Sequence, residues 1–225
     1  AAVSGGRVNL AGAISGSTTL TITGSGSTLD VTGVTSLQDT TVNANGGGVA
    51  SFAAATTLTR MNLVAGTTGA GATPGSILFP AATQYTTQNT YGDHDIQANG
   101  VGSVIDLSHL VAFAGSFGSS RVAVAAVSGG RVNLAGAISG STEINLSGST
   151  SILQLASDLT LPGTAITLSN GAVFTNPQGS TLRLGSGSSI TLSGAGTQFI
   201  NDGVLTVAAG SPTISITSPA SFVNN

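Results

Sequence analysis

The chain is marked first by what it leaves out. It has no cysteine, which excludes disulfides, thiolate metal sites and cysteine nucleophiles. Lysine is missing too, and the five basic residues are Arg7, Arg60, Arg121, Arg131 and Arg183. Charged residues make up 6% of the chain and the net charge is −3, where soluble proteins carry roughly a quarter charged residues. No basic patch exists to track a phosphate backbone, so nucleic acid is excluded as a partner. Tryptophan is absent and aromatics are 4%, which leaves nothing to build the aromatic girdles of a membrane barrel. No apolar run reaches the roughly 18 residues of a membrane helix, and no membrane insertion is expected. The chain opens Ala1-Ala2 with no initiator methionine, so it reads as an internal window of a longer polypeptide.

Small and β-forming residues fill the space left over. Glycine contributes 33 residues and the hydrophobic fraction is 40%, which argues against disorder. Val, Ile, Thr and Leu dominate over helix formers, the profile of strands joined by small-residue turns.

The phrase "AAVSGGRVNLAGAISGST" occupies residues 1–18 and recurs, letter for letter, at 125–142. At the same offset Leu20 and Ile22 match Ile144 and Leu146, and Leu29 and Val31 match Leu153 and Leu155. Residues 1–225 therefore read as one continuous repetitive body, with a first long unit at 1–124 and a second, partial and divergent one at 125–225. A catalytic site has no use for a distant copy of itself, whereas an array does.

Within the units runs a shorter rhythm. Apolar-x-apolar triplets fall at Leu182/Leu184, Ile190/Leu192, Leu205/Val207 and Ile214/Ile216, with Phe-x-Asn at Phe174, Phe199 and Phe222. Period-2 spacing puts the outer residues of each triplet on one face and the middle residue on the other. A fixed period of about 20 to 25 residues signals stacked supersecondary units. Three short strands per period with Gly-Ser corners predict an all-β parallel solenoid of roughly ten coils stacked about 4.8 Å apart. Leucine-rich repeats share the period but need a Leu/Asn consensus and a helical side that are not seen here. Placed at one corner of successive coils, Phe174, Phe199 and Phe222 would stack while Asn176, Asn201 and Asn224 form a ladder, the Asn tolerating a left-handed turn.

Repeated "GAVFTN…GSTLRL", "GTQFINDGVLTV" and the Gly-Ser-Thr turns resemble the β-helix stalks of filamentous-haemagglutinin-like and autotransporter-type bacterial surface proteins. That resemblance implies a right-handed coil, secretion across an outer membrane, great length, and an adhesive or structural role at the cell surface or outside the cell. It supplies no residue-level functional motif.

From about 67 to 120 the rhythm weakens. This stretch holds Phe79, Tyr85, Tyr91, Phe113, Phe117, both histidines (His94 and His109), and Asp93, Asp95 and Asp106. The segment "QYTTQNTYGDHDIQANG" is expected to bulge from one coil as a solvated polar loop, the kind of place where function is displayed on a rigid scaffold. Asp93 and Asp95 would share a side with His94 opposed, and the two carboxylates are the weak candidates for a metal site, although Ca²⁺ needs six or more oxygen ligands. His109 is expected half-buried beside apolar neighbours. Asp106, Ser108 and His109 hold the letters of a triad without a spacing that lets them meet. Asp30, Asp39, Asp158 and Asp202 stand alone in the sequence. No catalytic residue and no cofactor are expected.

Three functions follow. The first is a stalk or filament segment of a very large exported protein, its partners being copies of itself and cell-surface glycans. The second is a carbohydrate-binding or ice-binding solenoid, with outward Thr21 and Thr191 serving a flat threonine array and the polar loop serving carbohydrate recognition. The third is a polysaccharide lyase or hydrolase, which needs clustered carboxylates or basic residues.

Overall fold

A triplet that buries every second residue cannot satisfy its backbone or its apolar face alone, so it must pair with the same triplet one coil away. A computed structural model describes residues 1–12, 14, 16–67, 73–87, 92–115 and 121–225, and every regular element among them is a strand. The molecule is an all-β parallel solenoid.

One face is a ten-stranded sheet in which every neighbouring pair is parallel. The other two faces merge into one sixteen-stranded sheet, because strands Arg131–Ser139 and Ile152–Leu161 run through the corner between them. Nine steps of about 4.8 Å separate the ten strands of the first face, giving a rod roughly 43 Å long.

Register produces unbroken columns of like residues. On the second face the inward column runs Val8, Leu29, Ala50, Ile77, Ile105, Val132, Leu153, Phe174, Phe199 and Phe222. On the first it runs Leu20, Val42, Leu63, Ile96, Val124, Ile144, Ile166, Ile190 and Ile214. Each fully buried Val, Leu or Ile contributes about 1.5–3 kcal/mol relative to exposure, so stability accumulates coil by coil.

The corners explain the Gly-Ser turns. Ser27 Oγ donates to the Thr23 carbonyl at 2.8 Å and accepts the Gly5 N–H of the previous coil at 3.0 Å. Ser151 repeats this with Ser147 and Gly129, and Thr197 with Ser193 and Gly171. A small hydroxyl thus satisfies backbone groups that the bend takes out of the ladder.

The stretch at about 67–120 is described in part, and residues 88–91 of the expected polar loop lie outside the described residues. Its described residues keep to the coil path: Ser76–Leu78, Gln84–Thr86, His94–Asn99, Val104–Leu107 and Ala112–Ala114 are strands paired in register with their neighbours. Its described aromatics, Phe79, Tyr85 and Phe113, are core residues, because large rings can fill an inward column as well as aliphatics can. Phe79 stacks on Phe52 with ring centroids 4.8 Å apart, and Tyr85 on Phe113 at 4.6 Å. The buried Tyr85 hydroxyl donates to the Met61 carbonyl at 3.0 Å, and burial pushes its pKa up. Tyr91 and Phe117 lie outside the described residues.

Candidate functional site

The Phe-x-Asn residues come together at the carboxyl end of the rod. Phe174, Phe199 and Phe222 form one stack with successive centroids 4.9 Å apart, an arrangement that adds about 0.5–1.5 kcal/mol per pair beyond area burial. Asn176 Nδ2 donates to Asn201 Oδ1, and Asn201 Nδ2 donates to Asn224 Oδ1, each at 2.6 Å. Asn176 Nδ2 also reaches the Val204 carbonyl, and Asn201 Nδ2 the Gly203 carbonyl. None of the three is left-handed, and Asn170 is the asparagine that takes positive φ among the described residues. The amides therefore serve as an inter-coil ladder inside strands Val173–Asn176, Gln198–Asn201 and Ser221–Asn224, not as turn formers. The register Gln154↔Thr175 sets Asn176 next in line after Leu155, so the ladder takes over a column that was apolar in the coil before it.

Asp93 and Asp95 lie at the surface on either side of His94, but they do not converge. Asp93 Oδ1 accepts the Arg121 N–H at 3.0 Å, while the Asp95 N–H donates to Asn62 Oδ1 at 2.9 Å. No group of three or more His, Cys, Asp or Glu able to hold a metal exists among the described residues. His94 is not part of a solvated loop. It begins strand His94–Asn99 and is 9% exposed, because the alternation that points both aspartates outward sends the residue between them in.

The most unusual corner surrounds that histidine. Asp39 and Arg60, one coil apart, both adopt left-handed φ, 52° and 51°, at positions where other coils use glycines such as Gly163 and Gly187. Left-handed backbone costs a residue with a Cβ about 1–2 kcal/mol, and such outliers are places to look for function. Arg60 clamps Asp39 in a two-pronged pair, Nε to Oδ1 at 2.5 Å and Nη2 to Oδ2 at 2.6 Å. The Arg60 guanidinium holds the Asp39 carboxyl down at about 2. Burial first, then the Arg60 charge, lowers the His94 pKa. Both ring nitrogens of His94 lack a hydrogen-bond partner among the described residues. Together with Thr41 and Asn62 these side chains line a polar groove of about 210 Å³. The pairing was invisible in the sequence, where Asp39 stood alone; the signal that could have found it is the 21-residue offset, one coil length.

The other isolated acids are paired across coils as well. Asp30 meets Arg7, Glu143 meets Arg121, Asp158 approaches Arg183 at 4.0 Å, and Asp202 accepts from Asn225. Arg131 completes the set by donating to Gln154 in the next coil. All five arginines therefore span one coil boundary each.

His109 is exposed and Leu110 takes the buried place beside it. Ser108 Oγ and His109 Nδ1 are 3.2 Å apart on the surface, and Asp106 Oδ1 accepts the Ser108 N–H instead of meeting the imidazole. The orienting carboxylate that a nucleophilic triad requires is thus directed elsewhere. Outward positions on the first face run Thr21, Asn43, Val64, Gln97, Ala125, Asn145, Thr167, Thr191 and Ser215, a mixed column without a flat threonine grid. No helix is long and apolar enough to cross a membrane among the described residues. The chain matches no family model, no curated protein and no solved structure.

Proposed function

We propose that the chain is a structural, adhesive solenoid segment of a very large secreted bacterial surface protein, a stalk or filament building block displayed at the cell surface or outside the cell. The observation that carries this reading is the exact return of eighteen residues after five coils: Ala2, Ile22, Ala44, Ala65, Ala98 and Ala126 follow one another in register. Repetition in phase with the coil lengthens a rod without altering its cross-section, so length itself is the useful property. The residues that carry charge support it, since each arginine bridges coils. Partners on this reading are copies of the same rod and surface glycans. Electron microscopy and fibre diffraction of the native polypeptide, with antibody labelling of intact cells, test it. Rods with a meridional repeat near 4.8 Å on the outside of unbroken cells are expected; compact particles, or labelling only after lysis, would sink it.

A second reading rests on the groove at Asp39, Arg60 and His94. The Asp39 carboxylate, the Arg60 guanidinium and the Thr41 and Asn62 side chains that line this groove suit the alternating donors and acceptors of a sugar ring. Titration of neutral monosaccharides while following the His94 ring nitrogens by NMR tests it. Saturable shifts that vanish in Asp39→Asn support glycan contact, and unmoved resonances remove it.

A further inference from the structure

One corner of the coil repeats a turn in which both central residues are left-handed. Ser4-Gly5, Ser128-Gly129 and Asn170-Gly171 have φ of 53° and 84°, 52° and 91°, and 56° and 86°. A backbone bond closes each turn, from Gly6 to Val3, from Gly130 to Val127 and from Ala172 to Ser169. These are type I′ turns, for which Asn-Gly is a favoured dipeptide. Asn-Gly is also the dipeptide most prone to deamidation, because a glycine without a side chain leaves its nitrogen unhindered for attack on the preceding amide. Both copies of the repeated phrase place serine first in this turn, and the third turn takes the asparagine.

The chain has three Asn-Gly junctions, at Asn45, Asn99 and Asn170. At the first two the glycine nitrogen is tied to the main chain of the next coil: Gly46 donates to the Gly66 carbonyl at 3.2 Å and Gly100 to the Val127 carbonyl at 2.9 Å. At the third it donates instead to a side chain, Thr197 Oγ1, at 2.9 Å. Thr197 is buried, and its hydroxyl donates in turn to the Ser193 carbonyl at 2.8 Å. Asn170 itself is exposed to water. A single hydroxyl on the next coil thus engages the nitrogen that could attack Asn170.

We infer that Asn170 is a deamidation site guarded by the Thr197 hydroxyl. Once released, the Gly171 nitrogen gives its proton to solvent base and bonds to Asn170 Cγ. The Cγ–Nδ2 bond breaks, the leaving nitrogen takes up a proton and departs as ammonia, and a succinimide remains. Water then opens the ring at either carbonyl, giving aspartate or isoaspartate. Isoaspartate lengthens the backbone by one atom where the coils already touch. A Cβ on Gly171 would lie 3.2 Å from Ser149 Cα, and one on Gly194 would lie 3.1 Å from the Asn170 nitrogen. Two coils earlier at the same corner, a Cβ on Gly130 would lie 2.1 Å from the Ala98 carbonyl oxygen. A close-packed stack has no room for the added atom, so the modification loosens this coil irreversibly. The inference concerns the covalent chemistry of one turn and holds or fails independently of where the rod is displayed.

The experiment incubates the full 225-residue chain in mildly alkaline buffer and follows conversion at Asn45, Asn99 and Asn170 by peptide mapping with mass spectrometry. In the folded parent all three are expected to convert far more slowly than in the same chain unfolded in urea. Thr197→Val should speed Asn170 on the order of tenfold, the factor one hydrogen bond supplies, while Asn45 and Asn99 keep their parent rates. Those two sites report global unfolding, which would speed all three alike. Thr197→Ser retains a hydroxyl and should return Asn170 to the parent rate. Ser151→Ala removes the matching hydroxyl below the Ser128-Gly129 turn, and should lower Tm comparably without changing the rate at Asn170. Parent Asn170 converting as fast as the unfolded chain overturns the inference. So does a Thr197→Val variant that leaves Asn170 unchanged or speeds all three sites together, or a Thr197→Ser variant as labile as Thr197→Val.

Discussion

The same eighteen residues appear twice in one molecule and have two physical characters. Downstream they behave alike: Gly5 and Gly129 donate to Ser27 and Ser151, Val8 and Val132 sit beside Leu29 and Leu153, and Arg7 and Arg131 reach the next coil at Asp30 and Gln154. Ser4 and Ser128 even share left-handed φ, 53° and 52°. Upstream they part company. Val132 and Leu134 are fully buried, while Val8 and Leu10 are only partly so. The Arg131–Ser139 strand runs unbroken through its corner, whereas among the described residues the Arg7–Ala11 strand is followed by a single parallel bridge from Ile14 to Leu37. A coil's sequence thus fixes its path and its grip on the coil after it, but its burial comes from the coil before it.

Paired substitutions break or sharpen this contrast. The largest difference is expected for Gly130→Ala against Gly6→Ala: on the order of 4 kcal/mol for the first, at the upper end for single changes, and within about 1 kcal/mol for the second. Chemical denaturation of the two variants decides it, and equal losses would mean that the upstream coil does not set the constraint. Next comes Leu134→Ala against Leu10→Ala. A fully buried leucine costs about 2–5 kcal/mol to truncate, and the half-covered copy should lose about 1 kcal/mol. Similar midpoints for the two would show that the coil upstream of Leu134 does not set its cost.

The third test uses a corner outside both copies as a reference for charge. The Asp39 carboxyl is lowered from 3.8 to about 2 by Arg60. A depressed folded-state pKa gives stability that is present above pH 4 and lost as pH falls from about 4 to about 2. The Tm gap between the parent chain and Asp39→Asn should therefore close across that window, and a gap independent of pH would remove the pair from the account. The smallest effect separates Arg7 from Arg131. Both are surface contacts worth less than about 1 kcal/mol, but Arg7 faces a carboxylate and Arg131 a neutral amide. Salt should erase the cost of Arg7→Ala and leave that of Arg131→Ala unchanged, as read from Tm between low and high ionic strength.

The sequence by itself determined the solenoid. Triplets at Leu182, Ile190, Leu205 and Ile214 spell period-2 strands on a coil-length repeat, and Gly-Ser corners mark the bends, because in a stacked fold each coil must bury the same face as its neighbour. The Phe and Asn spacing was equally legible, since identical residues one coil apart can only meet. Where the rhythm weakened the fold was harder to read: coil length grows to 33 residues between Ala65 and Ala98, so Phe79, Tyr85 and His94 fall out of step with the count while staying in step with the columns. Only the tertiary structure decided which residues touch across coils. It paired Asp39 with Arg60, turned His94 inward, exposed His109 and put Asn176 below Leu155, because a contact between coils depends on the length of the intervening corner, and local sequence patterns do not encode that length. It also decided that Val132 and Leu134 are fully buried while Val8 and Leu10 are only partly so, since burial belongs to the neighbour that covers a residue and not to the residue itself.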